Sequence, residues 1–105
     1  MPFVPEGLVN HTKLAQGVQR AARALSGDVV HIYYDLGSDW TGNPSIFFNI
    51  VLRDKSAKPN KLREVAHRVA LKIQNEAKTE QSGLYAYFNF RSESEHVKLK
   101  DPAWA

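Results

Sequence analysis

The sequence predicts a small α+β domain, a two-layer sandwich whose elements run α-β-β-α-β and whose two helices cover one face of a mixed sheet. Two segments place apolar residues at helical spacing, and three are dense in β-branched and aromatic residues with period-two alternation. At 105 residues, without a repeat, linker or low-complexity tract between hydrophobic regions, residues 1–105 form a single domain around one core.

The first helix is read from Leu14, Val18, Ala21, Ala22 and Leu25, with Asn10 or Thr12 as N-cap and a stop before Gly27. Its other side carries Lys13, Gln16, Arg20 and Arg23, which reads as a solvated face. Residues 29–36, "VVHIYYDL", and 46–53, "IFFNIVLR", then read as strands joined by a turn-forming stretch into an antiparallel hairpin. The second strand points Ile46, Phe48, Ile50 and Leu52 to the core, and Phe47, Asn49, Val51 and Arg53 away from it.

For the first strand the apolar set is Val30, Ile32, Tyr34 and Leu36, with Val29, His31, Tyr33 and Asp35 opposite. Both apolar sets share a face only in a register that sets Leu36 against Ile46 and Ile32 against Ile50; a one-residue slip would bury Asp35. The pattern thus predicts Tyr33 across from Asn49 and His31 across from Val51.

Leu62, Val65, Ala66, Val69, Ala70 and Ile73 form the stripe of a second helix over about residues 60–79, with Asn60 as its N-cap, a Glu64–Arg68 pair on its surface and His67 at the edge of the stripe. "GLYAYFNFR" at 83–91 is a third strand, with Leu84, Ala86, Phe88 and Phe90 alternating against Tyr85, Tyr87, Asn89 and Arg91. A right-handed crossover through the second helix makes it parallel to the second strand. Val97 and Leu99 suggest a short further strand. The order is similar to that of the cytosolic domains of cation-diffusion-facilitator transporters, and to ferredoxin-like domains lacking one strand. The likeness lies in element order, and no motif carries functional residues across.

Composition narrows the chemistry. The chain has no cysteine, which removes disulfides, thiolate nucleophiles and cysteine-ligated metal sites. No stretch nears the roughly 18 consecutive apolar residues of a membrane span. The beginning, "MPFVPEGLVNHTK", lacks a basic region followed by an apolar one, so the expected compartment is the cytoplasm, with no membrane partner. A net charge of +3 favours polyanions only mildly, because the acidic residues are scattered among the basic ones.

No Walker-type loop, dinucleotide fingerprint or GxSxG elbow is present, and "GSDWTG" precedes a strand rather than a helix. His11, His31, His67 and His96 fall in four different elements, without ligand spacing, so neither metal nor cofactor is expected. His31 and Asp35 share a strand side but stand about 13 Å apart at the standard rise, too far for a hydrogen-bonded acid–base pair.

The informative feature is the sheet face opposite the helices, which would display His31, Tyr33, Asp35, Phe47, Asn49, Val51, Arg53, Tyr85, Tyr87, Asn89 and Arg91. Aromatic rings and guanidinium groups are enriched at interface centres, so the leading expectation is a binding and assembly domain that homodimerises through this face, with another protein as a possible partner. The competing structural expectation is that the N-terminal "PFVP" or the C-terminal "DPAWA" folds over it.

Single-stranded nucleic acid is the alternative partner: Tyr33, Tyr85 and Tyr87 would stack bases while Arg53 and Arg91 meet phosphates. The third strand lacks the RNP1 pattern, however, and no GxxG loop is present. An enzyme with His31, Asn49 and Asn89 converging at a subunit interface is the third. Trp40 sits in the hairpin loop "DLGSDWTGNPS", whose backbone has no need of an indole; it is expected to anchor a subunit or partner contact, or to lie over its own domain. Trp104 is expected to dock.

Overall fold

A computed structural model describes residues 11–100 and Trp104. It contains α1 (His11–Ala24), β1 (Val29–Ser38), β2 (Pro44–Leu52), α2 (Leu62–Ala77), β3 (Tyr85–Ser92) and α3 (Glu93–Leu99). The sheet order is β1-β2-β3, with β2 antiparallel to β1 and parallel to β3.

Leu36 faces Ile46, Ile32 faces Ile50, Tyr33 faces Asn49 and His31 faces Val51, the register that keeps both apolar sets on one side. On that side Ile46, Phe48, Ile50 and Leu52 are wholly buried beneath Leu14, Val18 and Ala21 of α1 and Val65, Val69 and Ile73 of α2. Burial of each large apolar side chain here contributes about 1.5–3 kcal/mol, so this central strand holds the two helices to the sheet.

The start of β1 departs from simple alternation. A bulge between Val29 and His31 leaves Val30 out of the pairing. Val29 is therefore buried and Val30 is exposed, the reverse of the pattern expected from period two. The Val29 amide is tied to the Leu25 carbonyl at 2.8 Å, and Leu25 is itself core, so the turn leaving α1 pulls Val29 inward.

Helix α2 also differs from expectation at its start. Helix α1 is described from His11, so Thr12 lies within it, and Asn10, the other expected cap, lies outside the described residues. Helix α2 starts at Leu62 with Lys61 at the N-cap and no side-chain cap; the Lys61 and Leu62 amides both donate to Lys58, which places Asn60 within the turn that feeds the helix. Arg68 does not pair with Glu64 but reaches Asp28 at 2.8 Å, a carboxylate that Ser56 Oγ already holds at 2.6 Å. His67 is exposed rather than bordering the core. Arg20, expected in solvent, donates through Nε to Glu76 at 3.1 Å and bridges α1 to α2.

The helices approach most closely at Gly17. A Cβ there would collide with the Glu76 carbonyl oxygen and lie 2.8 Å from Ala77 Cα, so the crossing depends on a missing side chain.

Val97 and Leu99 lie in α3, not in a strand, and both are exposed. Ser92 and Glu95 form a reciprocal capping box: Ser92 Oγ accepts from the Glu95 amide at 3.1 Å, and the Ser92 amide donates back to Glu95 Oε1. Asp54 accepts from both the amide and the hydroxyl of Ser94, fixing the start of α3 to the loop after β2. Helix α3 packs on β2 and β3 from the side opposite α1 and α2, so the two-layer sandwich gains a partial third layer. None of the described helices is long and apolar enough to cross a membrane.

Candidate functional site

The face expected to be open is divided in two. One half lies under α3 and Trp104. His96 of α3 reaches the Tyr33 hydroxyl at 3.5 Å, and its ring lies 6.1 Å from that of Trp104. The Arg91 guanidinium stacks over Trp104 at 4.2 Å, and Val51 beneath is only 1% exposed. The tryptophan of "DPAWA" thus covers this half, whereas "PFVP" lies outside the described residues.

The other half is open, and its geometry is set by Asp39. Asp39 Oδ1 accepts from the Thr41 amide at 2.9 Å, the Thr41 hydroxyl at 2.6 Å and the Asn43 amide at 3.0 Å. Its Oδ2 accepts from the Tyr87 hydroxyl at 2.8 Å. One side chain therefore closes the β1–β2 loop and ties it to β3. Gly42, at φ 87°, supplies the left-handed turn that brings the Asn43 amide back.

These bonds shift both partners. The Thr41 hydroxyl, followed by Tyr87 and the two amides, outweighs the opposing desolvation and holds the Asp39 carboxyl down at about 2. The same carboxylate, by accepting the phenolic proton, raises the pKa of Tyr87 above the ordinary tyrosine value. The loop is anchored by a charge-assisted contact across the whole physiological range.

Trp40 follows Asp39 directly in this loop. Its ring stands 5.3 Å from that of Tyr87, which in turn stacks on Phe47 at 5.4 Å with the planes 18° apart. Trp40 is nevertheless 82% exposed, and Tyr85 at the start of β3 is 56% exposed. The open half is thus a row of aromatic rings, Trp40, Tyr87 and Phe47, with Tyr85 on the same face of β3. Asn89 Nδ2 donates to Asn49 Oδ1 at 3.2 Å where this row meets the covered half.

The structure therefore brings Trp40, Tyr87, Tyr85, Asn49 and Asn89 to the open half. Tyr33 and Arg91 belong to the covered end, and the exposed His31 lies at its margin with its ring 4.2 Å from that of Tyr33. Arg53 leaves the face altogether, because its Nε donates to the Ser26 carbonyl at 2.9 Å. Within the chain Asn49 and Asn89 meet each other, and the His31 ring lies beside that of Tyr33. Among the described residues, no group of three or more His, Asp or Glu is placed to hold a metal ion.

The residues that sequence reasoning missed are those acting over long separations. Asp39 was legible as a local turn cap in "DWTGN", but its bond to Tyr87, 48 positions away, leaves no local trace. The covering role of His96 depends on a helix that begins at the capping box of "SESE", whereas the alternation of Val97 and Leu99 alone suggests a strand. In comparisons with known proteins no family model matches the chain, and neither a curated protein nor a solved structure is significantly similar to it. What fold and site define is a three-stranded α+β domain that presents a braced, exposed aromatic row.

Proposed function

We propose that the protein is a binding and assembly module that self-associates through the open half of its polar-aromatic sheet face. The observation that carries this reading is Trp40, an indole 82% exposed on a loop that Asp39 closes with three hydrogen bonds and ties to β3 with a fourth. A backbone already held in place forfeits little conformational entropy on docking, and tryptophan and tyrosine dominate the centres of protein interfaces. The α-β-β-α-β order supports kinship with ferredoxin-like domains lacking a strand, and the cytoplasm is the proposed compartment.

Single-stranded nucleic acid is the second reading, favoured by the exposure of Trp40 and Tyr85 as stacking platforms. It ranks lower because both phosphate candidates are engaged within the chain, Arg53 at Ser26 and Arg91 at Trp104. Asp35, exposed across from Phe47, also sets a negative charge beside the row.

Light scattering across low micromolar concentrations, at low and high salt, separates the two. A dimer at both salts supports self-association. A monomer that binds single-stranded RNA with steep salt dependence supports the second reading and removes the first.

A further inference from the structure

The sequence scatters its acidic residues among the basic ones, but the fold sorts them by layer. Helix α1 carries Lys13, Arg20 and Arg23 and no acid. The turn from β2 into α2 adds Lys55, Lys58 and Lys61, and α2 with its C-cap adds Arg63, Arg68, Lys72 and Lys78. Against these ten cations the helix side, residues 11–28 and 55–78, has three acids, Asp28, Glu64 and Glu76. The remaining described residues, the sheet with α3, reverse the balance, with four cations to six acids. We infer that the helix layer is a docking surface for the phosphate backbone of double-stranded nucleic acid, on the side of the sheet opposite the Trp40 row. This surface is independent of the self-association reading.

The cations form a stripe along the seam of the two helices, which run side by side in opposite directions. Lys13, Arg20 and Lys78 line one recess where α1 begins and α2 ends. Midway, Arg20 and Lys72 flank Glu76 at 3.1 and 3.3 Å. At the far end Arg68 holds Asp28 at 2.8 Å, and Lys55 and Lys61 line a recess beside them. Two of the three acids are thus already matched by cations, and the stripe keeps a positive surplus. The turn that presents its lysines is fixed: Ser56 Oγ donates to Asp28 at 2.6 Å, and the Lys61 and Leu62 amides donate to the Lys58 carbonyl at 2.8 Å. Over the 16 residues of α2 the stripe runs about 24 Å, the rise of about seven base pairs.

The composition of the layer selects the polyanion. Stacking of unpaired bases needs aromatic rings, and residues 11–28 and 53–83 contain none. Settling on a bilayer needs an apolar face to insert, whereas the exposed large apolar side chains of this layer are Leu62 and Leu71. Among the cations stand Gln16, Gln19 and Asn60, exposed amide side chains that donate to phosphate oxygens. Charge with hydrogen-bond donors, and without rings, is what a duplex backbone requires.

The test is fluorescence anisotropy of a short, mixed-sequence DNA duplex titrated with the full chain across a salt series. With about four phosphates engaged, the logarithm of the binding constant should fall against that of the salt concentration with a slope of about −4. Lys58→Gln with Lys61→Gln should weaken binding roughly tenfold or more and flatten the slope by about 2. Lys98→Gln with Lys100→Gln removes the same charge from α3, on the other side of the sheet, and should change neither. Circular dichroism checks each variant, and Arg23→Gln with Lys55→Gln repeats the test if Lys61, at the α2 N-cap, proves necessary for folding. Equal losses from the helix-layer pair and the α3 pair would reduce the effect to net charge and overturn the assigned surface. Tighter binding of the single strand, abolished by Trp40→Ala, would transfer nucleic acid to the aromatic row. Binding to phosphatidylserine vesicles without binding to duplex would make the partner a membrane, and no duplex binding at low salt would remove the partner. Each of these outcomes overturns the inference and leaves the self-association reading to its own experiment.

Discussion

Truncating Trp40 to alanine separates association from folding. A tryptophan buries 150–250 Å² when it docks, and 82% of this ring is free, leaving roughly 120–200 Å² to be covered by a partner. At about 25 cal/mol per Å² that is some 3–5 kcal/mol before the costs of binding, and a loss of about 2–4 kcal/mol after them. At about 1.4 kcal/mol per tenfold, Trp40→Ala should weaken self-association by roughly thirty-fold to several hundred-fold. The fold should scarcely notice, because in the free chain the ring meets Tyr87, and such a pair contributes about 0.5–1.5 kcal/mol. Sedimentation equilibrium measures the first quantity, and urea denaturation below the association concentration measures the second. An unchanged dissociation constant, or a stability loss as large as the association loss, would refute the reasoning, since the ring would then be serving its own domain.

Gly17→Ala sets a helix-propensity gain of about 1 kcal/mol against a Cβ driven into the Glu76 carbonyl, and overpacking of rigid backbone typically costs about 1–3 kcal/mol or more; the variant should be net destabilised in chemical denaturation, and a stabilised one would mean that α1 and α2 are free to separate. Asp39 titrates at about 2 in the folded chain against an ordinary 3.8, so its contribution to stability is fully present above roughly pH 4 and disappears as the pH falls through 2. Tyr87 has the opposite sign, its contribution present below the ordinary tyrosine pKa near 10 and lost as the pH rises through its own higher value; in an absorbance titration Asp39→Asn should bring the last-ionising tyrosine back toward that ordinary value, and an unaltered curve would count against the Tyr87 bond. Trp104→Ala removes a ring, 6% exposed, that packs against His96 and Arg91; it should cost about 3 kcal/mol and open α3 to limited proteolysis, and unaltered protease resistance would show that the capping box and Asp54 suffice alone.

Much of the scaffold was legible in the chain. The alternation of Ile32, Leu36, Ile46 and Ile50 specified the hairpin register because an odd slip would have buried Asp35, and the stripe of Val65, Val69 and Ile73 specified which side of α2 meets the sheet. Side-chain direction in helices and strands is a local, periodic property, so it is written in neighbouring residues. That is why the sequence by itself determined the element order through β3, the core face, and the membership of Tyr85, Tyr87, Asn49 and Asn89 in the opposite face.

Tertiary structure alone decided which part of that face is available. Whether Val29 or Val30 enters the core depends on a tether to Leu25, and whether Arg68 answers Glu64 or Asp28 depends on a turn forty residues earlier. Arg53 and Arg91 read alike in sequence, yet one is drawn to Ser26 and the other to Trp104. Trp40 stands exposed on a loop that Asp39 ties to Tyr87 from 48 positions away, while Trp104 lies covered against His96 and Arg91. Hydrogen bonds and ring contacts between distant residues have no period, so their competition is resolved only when the sheet brings the partners within reach.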